Sequence, residues 1–274
     1  FGVQGQLPSH PELLDWLALD FSENWDLKRL IKQMVMSKTY MQKSLVTEKL
    51  LKKDPNNLLL ARSNSYRLPA EIIRDNALKL SGLLNTKFGG PSVKPYQPKG
   101  LWKEKNNFSV PLLEYEESKG EDLYRRGIYT FIKRTSPPPN MLTFDATSRE
   151  VCTVKRNITS TPLQALVLMN DPQFFEASRI FAEKIIKNRV SLKDQITYGF
   201  RLSTGRFPKD EEMNVLVELF ENQYQYFLQN RNKAYQILSV GEKPRDQNIF
   251  SVKAAAMTMV ANTLINHNET FTRR

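Results

Sequence analysis

What this chain does not contain narrows its chemistry before any motif is read. A single cysteine, Cys152, among 274 residues excludes an internal disulfide and leaves no pair of cysteines, two apart and followed by histidine, to attach a c-type haem. Two histidines, His10 and His267, cannot supply a metal site of several imidazoles within one chain. A histidine-based triad would have to draw on one of these two residues from the terminal segments. No glycine-rich phosphate loop or dinucleotide fingerprint is present, so nucleotide-dependent chemistry has no footing. The most apolar window, 254–265, is interrupted by Thr258, Asn262 and Thr263 and falls short of the ~20 residues that span a bilayer, so no membrane span is expected. No internal repeat is evident.

What is present fits a globular domain. The chain is 40% hydrophobic and 10% aromatic, enough for a sizeable core. Forty basic residues against 29 acidic ones give a formal charge of +11, which favours polyanionic partners or simple solubility and says nothing about fold. The excess sits in the middle of the chain rather than in a tail, and no nucleic-acid motif accompanies it. Nucleic-acid binding is therefore the weakest functional reading.

Helical punctuation is frequent. Ser9 and Glu12 form a capping box with Pro11 in the first turn, and Leu13, Leu14, Trp16, Leu17 and Phe21 follow as an apolar face. Asp26 caps a second helix carrying Leu27, Leu30, Ile31 and Met34, so the two should make a helical hairpin in which Met34, Met36 and Met41 pack as core. Asp54-Pro55 opens a turn. Pro69 starts a helix ending near Gly82, with Ile72, Ile73, Ala77 and Leu80 apolar and Arg74 and Asp75 on its polar flank. Thr161-Pro162 and Asp171-Pro172 mark two helix starts ten residues apart, a further helix fits 192–202, one long helix runs from Pro208 towards Leu238, and a last one covers 247–265. These signals predict a mainly α, multi-helix globular domain, with a small β element at 127–134 and a long irregular excursion at 87–117. The excursion's aromatics Tyr96, Trp102, Phe108 and Tyr115 predict that it packs against the centre. The 1–274 span reads as a single helical domain, with a possible subdivision into 1–86, 87–160 and 161–274. The predicted core comprises Leu14, Leu17, Leu30, Ile31, Ile73, Leu80, Phe131, Leu166, Phe174, Phe181, Leu219 and Val260.

The least ordinary chemistry lies in 124–170, where the run 127–134 meets three prolines at 137–139 that forbid regular pairing. Arg126, Arg149, Lys155 and Arg156, with Tyr124 and Tyr129 as stacking surfaces, are candidates for an anion-binding patch, because guanidinium forks suit carboxylate, sulfate or phosphate. The alternative is internal pairing, Arg149 with Glu150 or Arg126 with Asp122. Asp145 and Glu150 are the acids left for catalysis once Asp171 is assigned to a helix cap, and Cys152, flanked by Val151 and Val154 in apolar alternation, reads as a small buried residue more than a nucleophile. His10 and His267 are explained by helix ends. No metal site is expected. The sequons at Asn157 and Asn268 carry little weight.

The segments LPSHPELLDWLA, YRLPAEIIRDNALKLSGLL, YRRGIYTFIKRTSPPPNMLTFDA, SREVCTV and TPLQALVLMNDPQF, in that order, resemble the C-terminal domain of unknown function of the large planctomycete-type cytochrome c proteins. Thr147 and Ser160 stand where that family would have Pro and Asn. The resemblance implies export to the periplasm or beyond and a haem c in a linked cytochrome c domain, with no cofactor within this chain. It also implies a fragment of a larger protein, since Phe1 is neither an initiator Met nor the start of a signal peptide. The reading favoured on these grounds is a non-catalytic binding or scaffolding module accompanying the cytochrome c domain. The alternative is an extracytoplasmic oxidoreductase or hydrolase acting on an anionic glycan.

Overall fold

The computed structural model describes residues 4–104 and 114–273; Phe108 lies outside them. More than half of the chain, 55%, is helical, well above the share of about a third typical of globular proteins. The expectation of a mainly α protein holds. Two compact units are present, one made of 1–66 with 273–274 and the other of 67–272. Two-residue strands β1 (Tyr66–Arg67) and β2 (Thr272–Arg273) form the only sheet among the described residues.

The first unit holds α1 (Pro11–Asn24), α2 (Leu27–Val35) and α3 (Glu48–Lys53). Helix α1 starts one residue later than the capping box implies, since His10 occupies the cap position and Ser9 Oγ turns to its Nδ1 at 3.0 Å. Asp26 caps α2 as expected, accepting from Arg29 N at 3.0 Å, and Arg29 reaches back to Asp20 at 2.9 Å to close the hairpin. The apolar faces of the hairpin are not core. Leu14 and Ile31 are exposed, Leu17 and Leu30 are only half-buried, and Met34, Met36 and Met41 are exposed. Among the described residues of this unit, those buried are Asp54, Asn57 and Arg62, all polar. Asp54 accepts from Leu58 N and Leu59 N at 2.8 and 2.7 Å, and Arg62 donates to the carbonyls of Asp54 and Pro55, both at 2.9 Å.

The second unit contains α4 (Ala70–Ser81), α5 (Leu101–Glu104), α6 (Pro139–Thr143), α7 (Pro162–Asn170), α8 (Pro172–Asn188), α9 (Leu192–Thr204), α10 (Asp210–Gln229), α11 (Arg231–Leu238), α12 (Ser251–Ile265) and α13 (Asn268–Phe271). Its centre is α12, in which 12 of 15 residues are buried. A helix apolar on every side belongs inside, and the small side chains of Ala254, Ala255, Ala256 and Ala261 let α8 and α10 approach it closely. Ile73, Leu80, Phe174, Phe181 and Val260 join this core, and Leu219 packs at its edge.

Several boundaries differ from the sequence reading. The long helix breaks at Asn230, whose Nδ2 turns back to Tyr226 O at 2.9 Å and separates α10 from α11. The final helix starts at Ser251, four residues after the expected position. Thr161 caps α7 without its side chain, whereas Asp171 accepts from Gln173 N at 3.0 Å. His267 lies beyond the end of α12 and caps the next helix. Its Nδ1 accepts from Glu269 N at 3.3 Å and starts α13.

No strand forms over 127–134. Residues 127–129 make a 3-10 turn, Thr130 bridges Val93, and Lys133 bridges Ser136. The cause is local: Gly127 sits so close to α4 that a Cβ there would lie 3.0 Å from the Glu71 backbone, and its N–H is held by Asp75 Oδ1 at 2.6 Å. That contact leaves the chain bent around a helix end instead of extended. The excursion does pack against this segment, as Trp102 is buried edge-on to Tyr115 at 4.9 Å and tilted against Phe131 at 5.8 Å.

Candidate functional site

Where regular pairing fails, buried arginines supply the missing donors. Arg74, expected on a polar flank, is buried, and its guanidinium donates to Leu123 O at 2.8 Å, Arg125 O at 2.5 Å and Gln173 Oε1 at 2.7 Å. Burial pulls its pKa down to about 10, while Asp75 and Asp171 pull the other way, so it stays charged at neutral pH. Arg125 donates to Pro91 O at 2.9 Å and to Gly89 O, with its plane 4.0 Å over the Tyr129 ring. In α8, Glu176 is fully buried and accepts from Tyr96 OH at 3.0 Å, Tyr124 OH at 2.9 Å and Lys243 N at 2.7 Å. Burial, then the Glu176 charge, pushes both phenols well above their ordinary range. Arg179, 3.8 Å from Glu176, donates to Val240 O at 3.2 Å and to Lys243 O.

The sequence candidates distribute around this frame. Tyr124 is buried against Glu176 and offers no stacking face, and Tyr129 is covered by Arg125 while its hydroxyl accepts from Gly89 N at 2.8 Å. Arg156 grips Glu71 with two hydrogen bonds of 2.7 and 3.0 Å, and Arg126 lies 3.9 Å from Asp75. Internal pairing thus involves acids one turn apart on α4, not Glu150 or Asp122. Burial of Glu71 opposes its ionisation, but the bonds from Arg156 and the charge of Arg149 outweigh it and hold the carboxyl below the usual range. Arg149 and Lys155 are exposed, with Arg149 in the left-handed region at φ 63°. Asp145 is engaged by Arg67 at 2.5 Å and by Thr159 N and Oγ1, both at 2.8 Å. Glu150 is exposed. Cys152, Val151 and Val154 are exposed too, so the buried-thiol reading is wrong: alternating apolar residues bury only where a sheet or helix covers them, and this stretch has neither.

The apolar concavity of this unit lies beside that frame and was not legible as a motif. A cleft of about 500 Å³ is walled by Tyr96 and Pro98 of the excursion, Pro139 and Thr143 of α6, Leu163, Leu166 and Val167 of α7, and Pro172 of α8. Leu166, assigned to the core from its helical spacing, is 52% exposed and faces this space, as does Leu163. Asn140 and Asp171 form its polar corner, joined at 3.1 Å. Burial pushes the Asp171 carboxyl above its usual range, against hydrogen bonds from Gln173 N, Asn140 and Phe174 N and the Arg74 charge.

The walls are fixed from outside the cleft. Gln164 Nε2 ties α7 to Thr143 O at 3.0 Å, Asn262 Nδ2 reaches Leu168 O at 3.3 Å, and Glu176 holds the Tyr96 hydroxyl. Such a volume, mostly apolar with a few convergent polar groups, has the proportions of a ligand or side-chain binding site. Other clefts, of about 570 and 590 Å³, are walled largely by charged and turn residues. Among the described residues no group of three or more His, Cys, Asp or Glu side chains could hold a metal ion, and no helix is long and apolar enough to cross a membrane.

Fold and cleft together define a mainly α domain with an apolar cleft whose walls are tied by hydrogen bonds from outside it. The family model described as PSD1, protein of unknown function (DUF1553), matches residues 1–220, and the chain belongs to that family. No curated protein and no solved structure matches it.

Proposed function

We propose that the chain is a non-catalytic binding or scaffolding module accompanying a cytochrome c domain in an exported electron-transfer protein. The linked cytochrome c domain, its haem c and the location outside the inner membrane rest on the family resemblance of the motifs quoted above. The binding role rests on the cleft between α6, α7 and the excursion, whose walls are apolar and whose only acid, Asp171, is already the cap of α8. A surface of this kind holds an apolar side chain or ring and offers it polar groups at one corner, Asn140 and Asp171. Hydrolysis of a glycan draws less support. It needs two free carboxyl groups facing one bond, and Asp145 is committed to Arg67 and Thr159.

The test uses this chain and the cytochrome c domain of its parent, produced separately and titrated together while the methyl resonances of Leu163, Leu166 and Val167 are followed. Saturable shifts confined to the cleft, abolished by Leu166→Asp with the melting temperature nearly unchanged, are the expected outcome. No shifts, or shifts centred elsewhere, would remove the cleft as the docking site.

A further inference from the structure

The first unit has no apolar residue buried among those described, and its outward-facing side chains are arranged, not scattered. On α2, Leu27, Leu30, Ile31, Met34 and Val35 recur at intervals of three and four, the stripe of a helix that faces another helix. Leu13, Leu14, Trp16 and Leu19 of α1 and Leu27, Ile31, Met34 and Val35 of α2 are each between 37% and 70% exposed. Together they offer an apolar area on the order of the ~800 Å² that each partner contributes to a standard interface. A two-helix hairpin of this length does not hold itself together in water without covering such a stripe.

Charge on the two helices is segregated. Helix α1 carries Glu12, Asp15, Asp20 and Glu23 with no base, and α2 carries Lys28, Arg29 and Lys32 with no acid. A lipid surface fits this badly, because the row of acids on α1 would face the headgroups. A second hairpin of the same sequence fits it well. Related by a two-fold axis, the acidic α1 of each copy lies against the basic α2 of the other, and every such contact occurs twice.

We propose that the hairpin α1–α2 docks on the same hairpin of a second copy, forming an antiparallel four-helix bundle that joins two chains. Its residues pair through the apolar stripe, and the opposed charges set the orientation. Arg29 remains with its own Asp20, while Lys28 and Lys32 face the partner's α1.

Sedimentation velocity on the full chain, run across about a hundredfold range of concentration, reads the association directly, because mass action separates monomer from dimer. Wild type should sediment at twice its 31.8 kDa mass at the upper end. The double variant Leu27→Glu, Ile31→Glu should remain monomeric throughout with the thermal transition of the second unit retained. The charge variant Lys28→Glu, Lys32→Glu should weaken dimerisation by tenfold or more, by about 1.4 kcal/mol or more. Adding Glu12→Lys and Asp15→Lys to it should restore the dimer. A wild type that stays monomeric at every concentration overturns the proposal, since the stripe then belongs to a different partner. So does a dimer that survives both stripe and charge variants.

Discussion

The two units of this chain reach order by opposite routes. Residues 67–272 bury a continuous apolar core around α12, and polar groups inside it are tied to the backbone by arginine and glutamate. Residues 4–66 bury only Asp54, Asn57 and Arg62, and their order rests on helix caps, one hairpin ion pair and this polar knot. A core makes a unit independent of its surroundings. A polar knot fixes a local turn and leaves the apolar faces of neighbouring helices to whatever covers them.

Truncation should separate the two regimes most sharply. Phe181→Ala removes a fully buried ring from the core and should cost about 3–5 kcal/mol, whereas Leu14→Ala should shift the main unfolding transition by less than about 1 kcal/mol. Urea melts of the full chain measure both. Equal costs would mean that the first unit has a core of its own and would erase the contrast.

A smaller effect tests the arginine frame. Arg74→Met leaves the carbonyl of Arg125 without its donor and that of Leu123 with only the 3.4 Å bond from Gln173 Nε2, and should cost about 2–4 kcal/mol. Hydrogen exchange should quicken at the amides of Asn85 and Val93, which donate to Tyr124 O and Tyr129 O of the segment that Arg74 holds, and at Phe131 N, which donates back to Val93 O. Unchanged exchange there would show that α4 positions this segment through packing alone.

The smallest effect is electrostatic. Arg206 is gripped by Glu212 at 2.6 Å and by Glu269 at 2.7 Å, and the hydrogen bond from Arg206 holds the Glu212 carboxyl down at about 2. A depressed carboxyl pKa contributes stability above the unfolded value near 4.3, and this is lost as pH falls towards about 2. Since the pair is partly exposed, Glu212→Gln should lower stability at neutral pH by about 1 kcal/mol or less and flatten the acid limb of the pH–stability curve. Parallel acid limbs for the variant and wild type would assign the pair no role.

The helix starts at Asp26, Pro69 and Asp171 and the stops at Gly82 and Gly205 were legible because capping is local chemistry, decided within a few residues. The burial of Arg74 was not. On a helical wheel it sits beside Asp75, and the carbonyls that justify its place are 49 and 51 residues away in sequence. The same limit hid the cleft: α7 is apolar on every side, and nothing in its spacing separates Leu168, which is buried, from Leu163 and Leu166, which line the opening. At 127–134 the β-rich composition was overridden by a single close approach to α4.

Glu176 also sets an order of events during synthesis. Tyr96 and Tyr124 leave the ribosome before Glu176 exists, but Lys243, whose amide completes the site, follows 67 residues after it. At ~5–20 residues per second that interval is roughly 3–13 s, during which α8 carries an acid not yet enclosed. Gly241, at φ 92°, passes so close that a Cβ would collide with the carboxylate. The excursion that walls the cleft therefore gains its last anchors, the amides of Glu242 and Lys243, only when nearly the whole chain has been made, so a nascent or truncated chain ending before Val240 holds Tyr96 and Glu176 without them.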